Sequence, residues 1–231
     1  FISGDLVILN IGTSGVAFDK KSGELAWKSG NGEASYSTPV AFGKSILLFG
    51  AKSLYLLDPK TGKKGFSYKW KTSYDANSAD PIFKDKTIFI SSGYNSGATL
   101  LKVKGNRAVK VWQNKEMRNH FSSCVLYKGH LYGIDGNATD SNAALKCIEY
   151  KTGKVKWSED LGFGSLIMAG ENLLVLRQRG QLVSVKADPN AYKAQGKVQI
   201  LGGKCWTSPI ISNGKLIARN AKGDLVCFSL K

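Results

Sequence analysis

The period of this sequence constrains its fold more than any other feature. Trp27, Trp70, Trp112 and Trp157 end similar segments at spacings of 43, 42 and 45 residues. Tight turns ahead of apolar alternating runs keep the same beat. They stand at Gly4-Asp5, Gly43-Lys44, Asp85-Lys86, Gly129-His130, Gly170-Glu171 and Gly214-Lys215, at intervals of 39, 42, 44, 41 and 44. Two markers sharing one period across six copies define a repeat protein.

Each copy reads the same way. STPV (37–40), ADPI (79–82), SSCV (122–125) and TSPI (207–210) precede the turn, a short strand such as KSILLFG or HLYGIDG follows, and two further strands complete the unit. Gly, Asp, Asn and Lys mark the corners. The last hairpin is closed by Asp-x-x-Thr/Ser-Gly at Asp19–Gly23 and Asp58–Gly62, with Glu149–Gly153 as a variant. Asp accepts backbone hydrogen bonds across such a turn, and Gly supplies its positive φ. The Trp four residues beyond Gly23 and Gly153 is a large apolar body, suited to docking on the neighbouring unit. A single four-stranded sheet cannot bury both faces, so the units must stack.

The sequence therefore predicts an all-β fold: a β-propeller of four-stranded antiparallel blades. Six units are expected, at approximately 1–31, 32–73, 74–116, 117–160, 161–200 and 201–231, forming a single domain with the first and last incomplete. The phase of the ends suggests part of a larger, seven- to eight-bladed propeller. The unit at 161–200 departs from the pattern: it lacks a terminal Trp, and Asp188-Pro189-Asn190-Ala191-Tyr192 reads as a helix cap and first turn.

At this point the residues resemble a known family. AFDKKSGELAW (17–27), LLDPKTGK (56–63) and IEYKTGKVKW (148–157) are similar to the tryptophan-docking repeats of PQQ-like propellers. HFSSCVLYKGHLYGIDGN (120–137) and GGKCWTSPIISNGKLIARNAKGDLVCFSL (202–230) most resemble uncharacterised bacterial PQQ-like repeat proteins. The family includes quinoprotein alcohol dehydrogenases and a bacterial outer-membrane assembly scaffold. The resemblance implies a periplasmic or secreted protein. It also implies blade-docking roles for Asp19, Gly23, Trp27, Asp58, Gly62, Trp70, Trp112, Glu149, Gly153 and Trp157.

Function is less sharply written. Thirty-three Lys and Arg against 17 Asp and Glu give a net charge of +16, which favours an anionic partner or surface. Only five of these cations are Arg, the fork that reads base edges, so nucleic acid is disfavoured. No apolar run approaches the roughly 18 residues of a membrane span. In a propeller, inter-blade links and second-to-third-strand loops share one face, and the other hairpin turns share the opposite face. Turn lysines such as Lys20, Lys44, Lys60 and Lys128 fall on the hairpin-turn face. The link face collects the ligand candidates: Arg118, His120, Asp135, Asn137, Asp140, Arg177, Arg179, Trp206 and Arg219. The loop 135–142 is rich in oxygen ligands but fails the calcium-binding EF-hand pattern, because Lys146 stands at the twelfth position.

Cys124, Cys147, Cys205 and Cys227 are nowhere adjacent, and first or third strands place them too far apart to pair within a blade. No catalytic constellation or metal site can be assembled. The leading expectation is a non-catalytic scaffold that binds a protein or a polysaccharide, without a cofactor. The enzyme alternative is a quinoprotein dehydrogenase with PQQ and calcium, although the adjacent cysteine pair of those enzymes is missing. A charge-driven binder of anionic polymer or nucleic acid is the third reading.

Overall fold

The computed structural model describes residues 1–230. Strands, turns and links account for all of them, and the strands fall into antiparallel sheets in chain order. The first sheet is β1 (Ile2–Ser3), β2 (Leu6–Leu9), β3 (Val16–Asp19) and β4 (Leu25–Lys28). The second is β5 (Val40–Phe42), β6 (Ser45–Phe49), β7 (Ser53–Leu57) and β8 (Lys64–Lys69); the third is β9 (Ile82–Lys84), β10 (Thr87–Ser92), β11 (Gly97–Lys104) and β12 (Arg107–Asn114). The fourth is β13 (Val125–Tyr127), β14 (His130–Asp135), β15 (Ala144–Glu149) and β16 (Val155–Glu159). The fifth is β17 (Gly164–Ala169), β18 (Asn172–Arg177), β19 (Gln181–Lys186) and β20 (Ala194–Gln199). The sixth has three strands, β21 (Ile210–Ser212), β22 (Lys215–Arg219) and β23 (Leu225–Ser229). The first sheet thus holds four strands, with β1 only two residues long. The chain divides into two compact units, Phe1–Gln113 and the residues from Asn114 onward. Among the described residues, no helix is long and apolar enough to cross a membrane.

The period-2 pattern of the strands explains why sheets stack. In β6, Ile46 and Leu48 point one way and join Ile8, Ala17 and Trp27 of the first sheet in one core. Leu47 and Phe49 point the other way and join Ile88, Ile90 and Leu101 of the third sheet. The second sheet is apolar on both faces because both faces are covered. In the second unit, Tyr132, Ile134, Leu145 and Cys147 pack with Phe163, Leu166, Val175 and Val185. Leu176, Leu201, Cys205 and Ala218 join the fifth sheet to the sixth.

The predicted docking residues divide in an informative way. Asp19 and Asp58 each accept two backbone N–H groups of their own turn at 2.8–3.0 Å, which lowers both carboxylates below their ordinary range. Glu149 instead takes the Thr152 hydroxyl. Gly23, Gly62 and Gly153 all hold positive φ. Trp27 lies against the next sheet's turn: its indole N–H donates to Pro59 O at 2.9 Å, and a Cβ on Gly62 would sit 2.5 Å from a ring carbon. Trp157 likewise donates to Asp188 O at 2.8 Å. Trp112 and Trp157 share an in-sheet partner as well, resting on Phe89 and Tyr132 with ring centroids 6.0 and 5.9 Å apart.

Trp70 does not occupy the equivalent place. It follows Gly62 by eight residues rather than four, beyond the end of β8, and the position of Trp27 is filled in this sheet by the buried Phe66. A second correction concerns 188–192, which form no helix. The segment is an extended hairpin turn in which Asp188 accepts Asn190 N–H at 2.9 Å and pairs with Lys193 at 2.6 Å. The hairpin needs two more residues than its counterpart: Lys186 N bonds Lys193 O where Asp58 N bonds Lys63 O. Third, Cys124 and Cys205 precede the first strands instead of lying on them, while Cys147 and Cys227 lie on third strands. All four cysteines are free thiols, and only Cys227 is exposed.

Candidate functional site

In each unit the links between sheets and the second-to-third-strand loops lie together, but they are built from different chemistry. In the second unit, Asp135 ends β14 and is only 2% exposed. The Arg118 guanidinium grips it with two bonds of 2.8 Å, the Arg118 backbone N–H adds a third at 2.8 Å, and Lys146 reaches it at 2.8 Å. Burial pushes this carboxyl upward, but the bonds from Arg118 and Lys146 outweigh it and hold Asp135 below the usual carboxylate range. Arg118 and Asp135 are thereby committed to each other and to the fold.

Asn137 and Asp140 are also self-contained. The Asp140 carboxylate accepts the Asn137 N–H at 2.7 Å and the Asn137 amide at 3.1 Å, closing a short turn. Calcium needs several carboxylate and carbonyl oxygens converging on one point, and both carboxylates of this loop are spent internally. Among the described residues no group of three or more His, Cys, Asp or Glu could hold a metal ion. No two of the four cysteines are adjacent, so the cysteine-pair ring of quinoprotein dehydrogenases cannot form from them.

His120 is buried, and its Nδ1 accepts the Ala138 N–H at 3.0 Å. Burial lowers its pKa, partly offset by Asp140, so the neutral ring is favoured. It belongs to an aromatic cluster built from three successive links. His120 stacks on Phe121 at 3.7 Å, Phe121 stacks on Trp206 at 5.5 Å, and Phe163 meets Trp206 edge-on at 6.1 Å. Lys204 Nζ caps the Trp206 ring at 4.3 Å.

Beside this cluster run two adjoining clefts that share Gln178 and Arg179. One, of 280 Å³, is lined by Phe163, Arg177, Gln181 and Gln199; the other, of 540 Å³, by Lys204 and Trp206. Arg177 is fixed there by bonds to Leu161 O at 2.6 Å and Gln181 Oε1 at 2.8 Å. The predicted residues Arg177, Arg179 and Trp206 are therefore brought together, whereas Arg219 stands exposed at the end of β22, outside this lining.

The first unit contains a surface that sequence reasoning missed. Tyr36 and Tyr74 lie on successive links and are 74% and 73% exposed, unusual values for such large rings. Tyr94 occupies the β10–β11 turn, and its ring lies 4.6 Å from that of Tyr74. Burial and the neighbouring tyrosines raise its pKa. Tyr94 and Asn95 hold φ of 53° and 59°, a left-handed pair costly for a bulky aromatic residue. Beneath them runs a neutral buried network. Trp70 Nε1 donates to Ser92 Oγ at 3.1 Å, Ser92 donates to Asn77 Oδ1 at 2.6 Å, and the Asn77 amide donates to the Gly50 and Ala51 carbonyls at 2.9 and 3.0 Å. Ser35 Oγ bridges to Asn77 O at 2.8 Å and takes its N–H at 2.7 Å. The displaced Trp70 thus anchors the links that carry the tyrosines.

Some turn lysines are partly neutralised: Lys20 pairs with Asp5 at 3.2 Å, and Lys128 with Glu171 at 2.7 Å.

Antiparallel sheets of four strands following one another along the chain, with the second burying one face on the first and the other on the third, define a β-propeller with PQQ-like repeats. Residues 1–159 match the family described as outer membrane protein assembly factor BamB, and the chain belongs to that family. No curated protein sequence matches it. Among solved structures it is similar to BamB from Moraxella catarrhalis, at 17% identity and a TM-score of 0.77, covering 99% of this chain and 70% of that one. A europium-containing methanol dehydrogenase shares 11% identity at a TM-score of 0.70, covering 95% and 60% of the two chains. The Cps50 (Swd1) β-propeller domain of Myceliophteria thermophila shares 15% at 0.67, covering 98% and 80%. At these identities the likeness is one of fold.

Proposed function

We propose that this protein is a non-catalytic scaffold that binds a partner protein through the tyrosine-bearing links of its first unit, and that it works in the periplasm as its family suggests. The observation that carries the reading is the group of Tyr36, Tyr74 and Tyr94 on a hydrogen-bonded base. Tyrosine offers large contact area at low entropic cost, and it is enriched at protein interfaces and in antibody paratopes. The surrounding links, SGNGEASYST (29–38) and KTSYDANSAD (71–80), supply the Ser, Gly and Asn that accompany tyrosine in such surfaces. The buried network holds the loops in place before binding, which reduces the ordering cost of association.

The quinoprotein alternative has only likeness of fold in its favour. To test the scaffold reading, a photo-crosslinking residue is placed at position 36 or 74 in living cells, with position 151 on a hairpin turn as control. A discrete adduct from 36 and 74 but not from 151 is expected. The captured protein, once purified, should bind about tenfold or more weakly to Tyr74→Ala, as for an interface hot spot. Equal crosslinking from all three positions sinks the proposal.

A further inference from the structure

We propose that the cleft between the fifth and sixth sheets is a binding site for a carboxylate-bearing saccharide, of the uronate class. The inference concerns the second unit and stands apart from the tyrosine surface.

Its lining has the composition that sugar acids require. Trp206 supplies a flat aromatic body, Arg177, Arg179 and Lys204 supply positive charge, and Gln178 supplies an amide. Amide and guanidinium groups match vicinal hydroxyls and carboxylates in pairs, while an aromatic face accepts the C–H face of a pyranose. Neither Arg179 nor Lys204 has an ion-pair partner among the described residues. The volume of 540 Å³ lies within the range of small-molecule sites, and the adjoining 280 Å³ cleft extends it through Gln178 and Arg179.

Parts of the lining are rigid and one part is free to move. Arg177 is held on two sides, and the Gln199 amide donates to the Arg179 carbonyl at 2.7 Å and also to the Leu201 carbonyl. The Gln178 backbone is clamped by Phe163 O at 2.8 Å and Cys205 N at 2.8 Å. Lys204, by contrast, is exposed and rests on the Trp206 ring at 4.3 Å. An exposed cation–π contact is weak. An arriving carboxylate can draw the ammonium off the ring and so uncover the face on which the sugar stacks. A neutral sugar lacks the charge to do this, and an acidic peptide lacks the flat C–H face.

The test is calorimetric titration of the whole chain with tetragalacturonate, maltotetraose and hexaglutamate, at low and moderate salt. Tetragalacturonate should bind, with maltotetraose and hexaglutamate each at least about tenfold weaker, the discrimination that a lost charge or a lost stacking face produces. Lys204→Gln and Arg179→Gln, both at exposed positions that should not perturb folding, should each weaken tetragalacturonate about fivefold, the scale of one exposed charge pair. Trp206→Ala should abolish binding; Trp206→Phe keeps a ring in the cluster and should retain part of it. Failure of tetragalacturonate to bind at millimolar concentration overturns the proposal. So does equal binding of hexaglutamate, which would mark a surface that reads charge alone.

Discussion

The two units solve one problem, fixing long links over the ends of a blade, by opposite means. In the first, the buried part of the work falls to neutral groups, Trp70, Ser92, Asn77 and Ser35, which pass hydrogen bonds from link to link. Ionised groups enter nearer the surface, where Lys52 reaches Glu33 and Asp75 at 3.8 and 3.6 Å and Asp80 accepts the Thr38 N–H at 2.7 Å. In the second, a buried carboxylate does it, gripped by Arg118 and Lys146. Neutral networks tolerate pH change, whereas a buried ion triad depends on its charges and fails badly if one is removed. The first unit can thus present exposed tyrosines on a buried base that carries no charge, while the second carries cations that its own fold partly consumes.

This contrast can be broken most directly at Asp135. Asp135→Asn leaves Arg118 and Lys146 facing an uncharged amide, and should destabilise the second unit by about 3–5 kcal/mol. Hydrogen exchange resolved by segment should show the loss in residues beyond 114 and none before; an equal loss in both would erase the distinction. Close behind comes Trp27→Ala, expected to cost the first unit about 3–5 kcal/mol because the ring is buried against Gly62. Phe66→Ala should cost nearly as much, about 3 kcal/mol, if it truly replaces a docking tryptophan. Urea denaturation measures both, and a Phe66 effect under about 1 kcal/mol would refute the equivalence. Trp70→Phe keeps the apolar body but removes the donor to Ser92, for about 1–2 kcal/mol in the first unit, unchanged between neutral and mildly acid pH.

The smallest effect sharpens the comparison through pH. Because the folded His120 pKa lies below its ordinary 6.5, the unfolded chain binds the proton more readily. Stability of the second unit should therefore decline as pH falls through 6.5, and the decline should vanish in His120→Asn. The Asp135 contribution is complete above the ordinary carboxylate value of 3.8 and is lost as pH drops below that toward the depressed folded value. A first unit that weakened in parallel near pH 6 would contradict the neutral-network account.

The architecture was legible because strand period, turn residues and unit period all pointed to one answer. Even Phe66 was legible: counting four residues from Gly62, as for Gly23 and Gly153, lands on it, while the eye follows the bulkier Trp70. The turn at 188–192 misled because a proline after an aspartate suits the opening of a helix and a hairpin turn alike. The sites were harder. Arg118, Asp135 and Lys146 belong to a link, the end of a second strand and a third strand, and nothing in their spacing announces that they meet. Tyr36 and Tyr74 sit in links where no periodicity operates, and their exposure is visible only once the strands have placed them.

The contact of Trp27 with Gly62 bears on how such a chain can grow. A blade that carries the tryptophan for its successor and the glycine for its predecessor contains both halves of one joint. Copying that blade in tandem creates a new joint with no new design, so the number of blades is free to change by duplication. The joint at Trp157 is of another kind: its partners are the Asp188 carbonyl and the Tyr192 ring, 5.9 Å away, on a lengthened turn. No other blade in the described residues offers that turn. A blade copied in beside the fourth would have to bring that turn with it, so the fourth and fifth blades are matched to each other in a way that the first and second are not.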